Sequence, residues 1–281
     1  MARGGVGMKV HLERVRGFVF DVDGTLAMSD GRLSGYQPLP GARELLAALR
    51  ERRVPYVAFT NGTAKTPREL AGALGRAGLA LDEPQTLTPA SVAADFFRRR
   101  RMRRVLVLGV EGVWRPLADA GLDVVVAPAH ADDADAVLVG WHPGFTLADV
   151  DAACRALWRG AALYSVSTAP FFATRDGRTV GVSAAITAAL RAVTGKRAMV
   201  LGKPSAQALA CASGRLGVKP EQMAIVGDDP ALENAMAHRG GALSVAVHTG
   251  LGSAADFARL PAHERPHLSL AGVDKLLELI G

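Results

Sequence analysis

Apolar positions in this chain come in short runs, unbroken save for Ser165 and Ser244. They lie at Gly17 to Phe20, Val54 to Phe59, Val105 to Leu108, Val124 to Val126, Ala136 to Val139, Leu163 to Val166, Ala198 to Leu201, Met223 to Val226 and Leu243 to Val247. Runs of this length and β-propensity predict strands buried on both faces. The stretches between them carry helical spacing instead. Pro40-Gly41 opens one helix, with Leu45, Leu46 and Leu49 on one face and Arg50, Arg52 and Arg53 at its end. Pro67 opens a second, through Leu74. Thr88 as cap and Pro89 at the first position start a third, which runs through Phe96 and Phe97. Further helices are expected at Val113 to Ala120, Leu147 to Trp158, from a Ser183 cap through Val193, from Ser205 to Leu216, after Pro230 to Arg239, and at Val273 to Ile280. Strand and helix in alternation predict an α/β chain built on a doubly wound, Rossmann-like parallel sheet. The middle third reads as a small α/β module of its own. The expected division is a core formed by 1–101 and 183–281, with an inserted domain at 102–182.

Four of the runs end in polar residues. Gly17 to Phe20 leads into Asp21-Val22-Asp23-Gly24-Thr25-Leu26, and Val54 to Phe59 into Thr60-Asn61-Gly62. Ala198 to Leu201 leads into Gly202-Lys203-Pro204-Ser205, and Met223 to Val226 into Gly227-Asp228-Asp229-Pro230. Ligands of open α/β sheets bind beyond the carboxyl ends of strands, so parallel strands in one sheet would gather these groups at one edge. Two carboxylates as close in sequence as Asp21 and Asp23 repel unless a cation or a proton lies between them. Each feature also has an ordinary explanation. Asp23-Gly24 would serve as a turn, Thr60 and Ser205 as helix caps, and Lys203 as a solvated loop lysine.

Taken in order, DVDGTL, Thr60, Lys203 in Gly-Lys-Pro and the acids of Gly-Asp-Asp resemble the four motifs of the haloacid dehalogenase (HAD) superfamily of phosphotransferases. Leu39-Pro40-Gly41-Ala42, Thr60-Asn61-Gly62, Gly202-Lys203-Pro204-Ser205 and the large insert resemble its NagD-like subfamily IIA, which carries a C2-type cap and includes nucleotide, pyridoxal phosphate, phosphoglycolate and 4-nitrophenyl phosphatases. The resemblance implies a Mg²⁺-dependent hydrolase of small phosphate monoesters (nucleotide, sugar or glycerol phosphate) that works through an aspartyl-phosphate. It makes Asp21 the nucleophile. Asp23 becomes the general acid and base. Lys203 supplies positive charge beside them, and Thr60 with the N–H of Asn61 donates to the phosphoryl oxygens. Mg²⁺ would be held by Asp21, the backbone carbonyl of Asp23 and Asp228.

The chain departs from that pattern in two places. Asp229 follows Asp228 directly, and Leu232-Glu233 stand where the subfamily has Thr-Asp, so support for the metal is left between Asp229 and Glu233. After the cap strand, Ser167-Thr168-Ala169-Pro170-Phe171-Phe172 replaces the usual polar segment. Trp141, His142, Phe171 and Phe172 are the candidate lining of a leaving-group pocket, with cap core as the competing reading for the two phenylalanines.

Composition narrows the rest. The 281 residues are 49% hydrophobic, with no apolar run long enough to span a bilayer and no apolar h-region behind the basic N-terminus. Two distant cysteines, Cys154 and Cys211, make neither a disulfide framework nor a zinc site, so a cytoplasmic protein is expected. The net charge of +6 is concentrated in the run Arg98 to Arg104. Without interleaved aromatics that run reads as a solvated helix end rather than a nucleic-acid surface. The expected partner is a small phosphorylated metabolite, and exposed cap surface would suit a homodimer. The alternatives are a phosphomutase or other HAD phosphotransferase, a non-catalytic HAD-like regulator, and a dinucleotide-binding protein resting on Gly250-Leu251-Gly252-Ser253-Ala254-Ala255.

Overall fold

The structure, a computed structural model, describes residues 12–29, 35–174 and 177–280, with the side chains of 172–174, 177 and 178 outside that description. The chain divides into two compact units. The first is made of residues up to Thr60, Leu70–Leu87 and Leu209 onward; the second is Asn61–Glu69 with Thr88–Ala208.

In chain order the first unit begins with strand β1 (Gly17–Phe20), the hairpin strands β2 (Ala27–Ser29) and β3 (Tyr36–Pro38), helix α1 (Ala42–Glu51) and β4 (Tyr56–Phe59). Helix α2 (Pro67–Arg76) and β5 (Thr86–Leu87) follow. The second unit contributes α3 (Pro89–Arg99), β6 (Arg104–Leu108), α4 (Glu111–Asp119), β7 (Asp123–Val126), β8 (Ala136–Val139), α5 (Leu147–Trp158) and β9 (Ala162–Ser165). It continues with β10 (Phe171–Thr174), β11 (Gly177–Val180), α6 (Val182–Thr194) and β12 (Met199–Val200). Helix α7 (Ala206–Leu216) leads back to the first unit, which ends with β13 (Met223–Gly227), α8 (Ala235–Gly240), β14 (Leu243–Val247), α9 (Ala254–Arg259), β15 (Leu268–Leu270) and α10 (Val273–Ile280).

The first unit is a six-stranded parallel sheet in the order β15-β14-β13-β1-β4-β5. From β1 the chain steps outward to β4 and β5, whereas β13, β14 and β15 step outward on the other side. The order therefore reverses between β1 and β13, and such a switch point opens a crevice at the carboxyl ends of the two strands. All four residues of β1 are buried, as are all five of β13 and of β14, which is why their sequences are apolar almost throughout, Ser244 of β14 being the polar exception. Helix α1 buries Ala42, Leu45, Leu46 and Leu49 against this sheet, an i, i+3, i+4, i+7 stripe. Full burial of each leucine contributes ~1.5–3 kcal/mol.

The second unit is a five-stranded parallel sheet in the order β12-β9-β8-β6-β7. Its core joins Leu106, Val137 and Val139 to Ala153 and Leu157 of α5 and to Ile186 and Leu190 of α6. This unit is wider at both ends than the insert expected at 102–182. Helix α3 packs on α4, and α6 packs on α5, β8 and β9. Strand β12 pairs with β9, Met199 with Tyr164 and Val200 with Ser165. The stretch 183–208, expected to rejoin the core, thus belongs to the second unit.

Thr88 caps α3 as expected, its hydroxyl accepting from Ser91 N. The basic run behaves as a helix end: Arg99 pairs with Asp95 at 2.8 Å, and Arg104 pairs with Asp123 and Asp133 at 3.0 and 3.1 Å. Among the described residues no helix is long and apolar enough to cross a membrane.

Candidate active site

Three of the four expected polar strand ends lie in the first unit. Strands β1 and β13 are hydrogen-bonded neighbours in register Phe20 to Val226, and Asp21 N donates to Val226 O at 2.9 Å. Asp21 and Asp228 therefore emerge side by side at the switch point, 8% and 3% exposed. Strand β4 flanks β1 on the other side, and the buried Thr60 follows it directly, with its N–H on Leu87 O at 3.2 Å. Thr60 is not a helix cap. That place belongs to Thr66, which shares a reciprocal pair of hydrogen bonds with Glu69 at the start of α2.

Asp23 stands in a tight turn. Gly24 has φ +84, its N–H donates to Ala27 O, and Asp23 Oδ1 accepts from Ser29 N at 3.2 Å. The turn reading and the site reading thus describe the same residues.

Asp228 is held from above by the segment Thr249 to Gly252. Its Oδ2 accepts from Leu251 N at 2.6 Å, and its backbone carbonyl accepts from Gly252 N at 2.9 Å. Gly24 and Gly250 pack against the same carboxylate. A methyl group on Gly24 would lie 2.6 Å from Asp228 Oδ2, and one on Gly250 would collide with that oxygen and sit 2.8 Å from Gly24 Cα. The glycines that gave a dinucleotide-like spacing are explained by this close approach.

The two acids beyond Asp228 have separate tasks. The Asp229 side chain caps the π-helical turn Pro230–Asn234, Oδ1 accepting from Ala231 N at 2.7 Å. Glu233, 2% exposed, lies against Gly227 and accepts from Asp229 N at 3.3 Å. Glu233 thereby fixes the backbone that carries Asp228.

Among the described residues no three His, Cys, Asp or Glu side chains gather closely enough to hold a metal by themselves. Two buried carboxylates and a backbone carbonyl still make an all-oxygen donor set. Such a set suits a hard cation that keeps several of its waters, as Mg²⁺ does, and buried like charges favour a cation between them. The residues of the first unit fit the ion expected from the sequence.

Lys203 is not on that sheet. It follows β12, so the expectation that all four motifs end strands of one sheet needs correcting. The reason is that β12 is only two residues long, and its pairing with β9 decides its membership. Lys203 is 2% exposed, which rules out a solvated loop lysine. Within the second unit it is tied to Asn61, 142 positions away in sequence. Asn61 Oδ1 accepts from Lys203 N at 2.8 Å, and Asn61 Nδ2 donates to Lys203 O at 3.0 Å. Gly202 is required beside this bridge, because a methyl there would lie 2.7 Å from Asn61 Oδ1. Ser205 is a helix cap, accepting from Ala208 N at 3.0 Å.

Of the cap candidates, Trp141 N donates to Thr63 Oγ1 at 3.2 Å. His142 Nε2 lies 3.6 Å from Asp149 Oδ1. Burial would raise Asp149, but hydrogen bonds from the Thr146 hydroxyl and N–H, with His142 beside it, hold its carboxyl below the ordinary range. Phe171 is 44% exposed and so is not cap core; the Phe172 side chain lies outside the described ones. Ser183 does not cap α6. Its hydroxyl donates to Ser167 O at 3.0 Å, alongside Ser165 Oγ at 2.8 Å, and Thr187 donates to Ser165. This buried hydroxyl network fixes the segment after β9. Sequence reading missed it, and missed the Asn61 bridge and the Thr249 to Gly252 clamp as well.

Comparisons with known proteins give consistent matches. A family model described as haloacid dehalogenase-like hydrolase matches residues 18–123, and one described as HAD-hydrolase-like matches residues 200–278. Human chronophin is 30% identical, over 88% of this chain and 86% of its own length. The ribonucleotide monophosphatase NagD of Escherichia coli is 26% identical, over 88% of this chain and 93% of its own. The structure of a glycerol phosphate phosphatase, Rv1692 of Mycobacterium tuberculosis in complex with magnesium, matches with a TM-score of 0.78 at 27% identity, over 91% of this chain and 74% of that one.

Proposed function

The chain belongs to the NagD-like subfamily IIA of the haloacid dehalogenase-like hydrolases and is a phosphatase of that type, and from this premise we propose that it hydrolyses small phosphate monoesters through an aspartyl-phosphate on Asp21. The observation that supports the reading is the pair of buried carboxylates, Asp21 and Asp228, on adjacent strands at the switch point of the sheet.

The proposed steps use this chain's own groups. A carboxylate oxygen of Asp21 bonds to phosphorus while the bond to the ester oxygen breaks. Asp23 gives its proton to the departing alkoxide, then takes one from the water that attacks the acyl phosphate, which restores Asp21 and releases phosphate. The Thr60 hydroxyl and the N–H of Asn61 donate to the phosphoryl oxygens, and Lys203 contributes a cation. Each such donor is worth ~10²–10³ in turnover. Asp21, Asp228 and the carbonyl of Asp23 would hold Mg²⁺, which would supply positive charge against the phosphate dianion and the nucleophile.

The leaving group needs recognition residues of its own. We assign Trp141, His142 and Phe171 to its recognition, with Phe172 included on sequence grounds. Glycerol, sugar and nucleoside phosphates are the classes to screen, and 4-nitrophenyl phosphate is the convenient surrogate. The test is hydrolysis of 4-nitrophenyl phosphate by wild type and Asp21→Asn. The wild type is expected to be active, silenced by EDTA and restored by Mg²⁺, and the variant inactive. Undiminished turnover by Asp21→Asn would overturn the assignment.

A further inference from the structure

Asp228 has to present its carboxylate in one orientation if it is to hold a cation, and the chain that does the aiming lies more than twenty residues downstream. Three contacts converge from Thr249, Leu251 and Gly252. Leu251 N–H donates to Asp228 Oδ2 at 2.6 Å, a charge-assisted bond short enough to fix the rotamer. Gly252 N–H holds the Asp228 carbonyl at 2.9 Å. The Thr249 hydroxyl donates to the carbonyl of Gly24, in the turn directly after Asp23. Gly24 and Gly250 touch where no side chain fits between them. The loop after β14 is thus stitched both to the loop after β13 and to the turn after β1.

We propose that Thr249, Gly250 and Leu251 form a positioning clamp for the metal site: the Leu251 N–H and the Gly250 backbone fix the Asp228 carboxylate, and Thr249 locks the Asp23-Gly24 turn in register with it. The clamp rests on the reading of Asp228 as a metal ligand. None of its groups reacts. Its contribution is to hold two ligand-bearing loops in the geometry the ion requires, so that binding does not have to organise them. A purely structural loop would affect folding stability and leave metal affinity alone. A clamp makes the opposite prediction.

The test compares five proteins: wild type, Thr249→Val, Thr249→Ser, Gly250→Ala and Asp228→Asn. Thr249→Val keeps the shape and removes the hydroxyl donor, whereas Thr249→Ser keeps the donor. Mg²⁺ binding to each substrate-free protein is measured by calorimetry, with the thermal midpoint in EDTA as the folding control. Expected is a loss of Mg²⁺ affinity of about tenfold in Thr249→Val and more in Gly250→Ala, near-wild-type affinity in Thr249→Ser, and a higher Mg²⁺ requirement for 4-nitrophenyl phosphate turnover in the two weakened variants. Mg²⁺ affinity in Thr249→Val and Gly250→Ala equal to wild type would overturn the clamp. So would equal losses in Thr249→Val and Thr249→Ser. A wild-type protein that binds no Mg²⁺ would instead remove the reading of Asp228 on which the clamp rests, and Asp228→Asn reports that case separately by binding no worse than wild type.

Discussion

Replacing Asn61 by Ala separates what its side chain does from what its backbone does. The side chain spans the Lys203 peptide on both sides, accepting from Lys203 N at 2.8 Å and donating to Lys203 O at 3.0 Å. Each partly buried hydrogen bond of this kind contributes ~0.5–1.5 kcal/mol net, so the bridge as a whole stabilises by ~1–3 kcal/mol. Alanine also leaves the two backbone groups of Lys203 to find new partners and lets the Gly202-Lys203 peptide move. A displacement of ~1 Å in a catalytic group costs ~10² in rate. The N–H of residue 61 remains in Asn61→Ala, so any loss is assigned to the bridge rather than to phosphate contact. Urea unfolding measures the stability, and initial rates with 4-nitrophenyl phosphate measure the turnover. The expected result is destabilisation of ~1–3 kcal/mol with kcat down ~10²-fold and a smaller change in KM. Wild-type kcat in a variant that has lost the stability would refute the reasoning, because the bridge would then hold the fold without holding Lys203 for catalysis.

Two further outcomes follow from groups in the second unit and between helices. Asp149 has a carboxyl held below its ordinary value, so its contribution to stability is complete above ~pH 4, the unfolded value, and is lost as pH falls through the folded one. Asp149→Asn should therefore be less stable than wild type by ~1–3 kcal/mol at pH 7, with the gap closing below ~pH 4 in urea titrations, and a pH-independent gap would contradict this. Cys154 and Cys211 are buried thiols that form no disulfide, and burial, reinforced by Asp151, pushes the Cys154 thiol up. Both thiols should resist an aromatic disulfide reagent in the folded protein and react promptly in denaturant; rapid labelling of the native protein would show that one of them is accessible.

The fold was largely readable because its strands are buried on both faces. Gly17–Phe20, Ala136–Val139 and Met223–Gly227 are apolar without a break, and the helices between them announce their starts with Thr88-Pro89 or Pro67 and their faces with Leu45, Leu46 and Leu49. Asp21 and Asp228 were legible for the same reason, since each follows such a strand directly. What could not be read were contacts between distant segments. The sheet that Met199 and Val200 join depends on Tyr164 and Ser165, a pairing that the sequence around Lys203 does not carry. Ser183 looked like a cap because a helix starts there, but its hydroxyl is drawn to the carbonyl of Ser167. Gly250 and Gly252 imitated a nucleotide-binding loop because local spacing carries no record of Asp228 beneath them. Asn61 was noticed for its backbone, and its side chain has the larger visible task.

The central claim is that Asp21 carries the phosphoryl group during turnover. Rapid acid quenching of the enzyme with substrate and Mg²⁺, followed by peptide mass mapping, tests it most directly. A phosphoryl group on the peptide spanning Asp21, absent in Asp21→Asn and released by hydroxylamine, is the predicted result. A phosphoryl group on another residue, or phosphate release by Asp21→Asn at the wild-type rate, would contradict it.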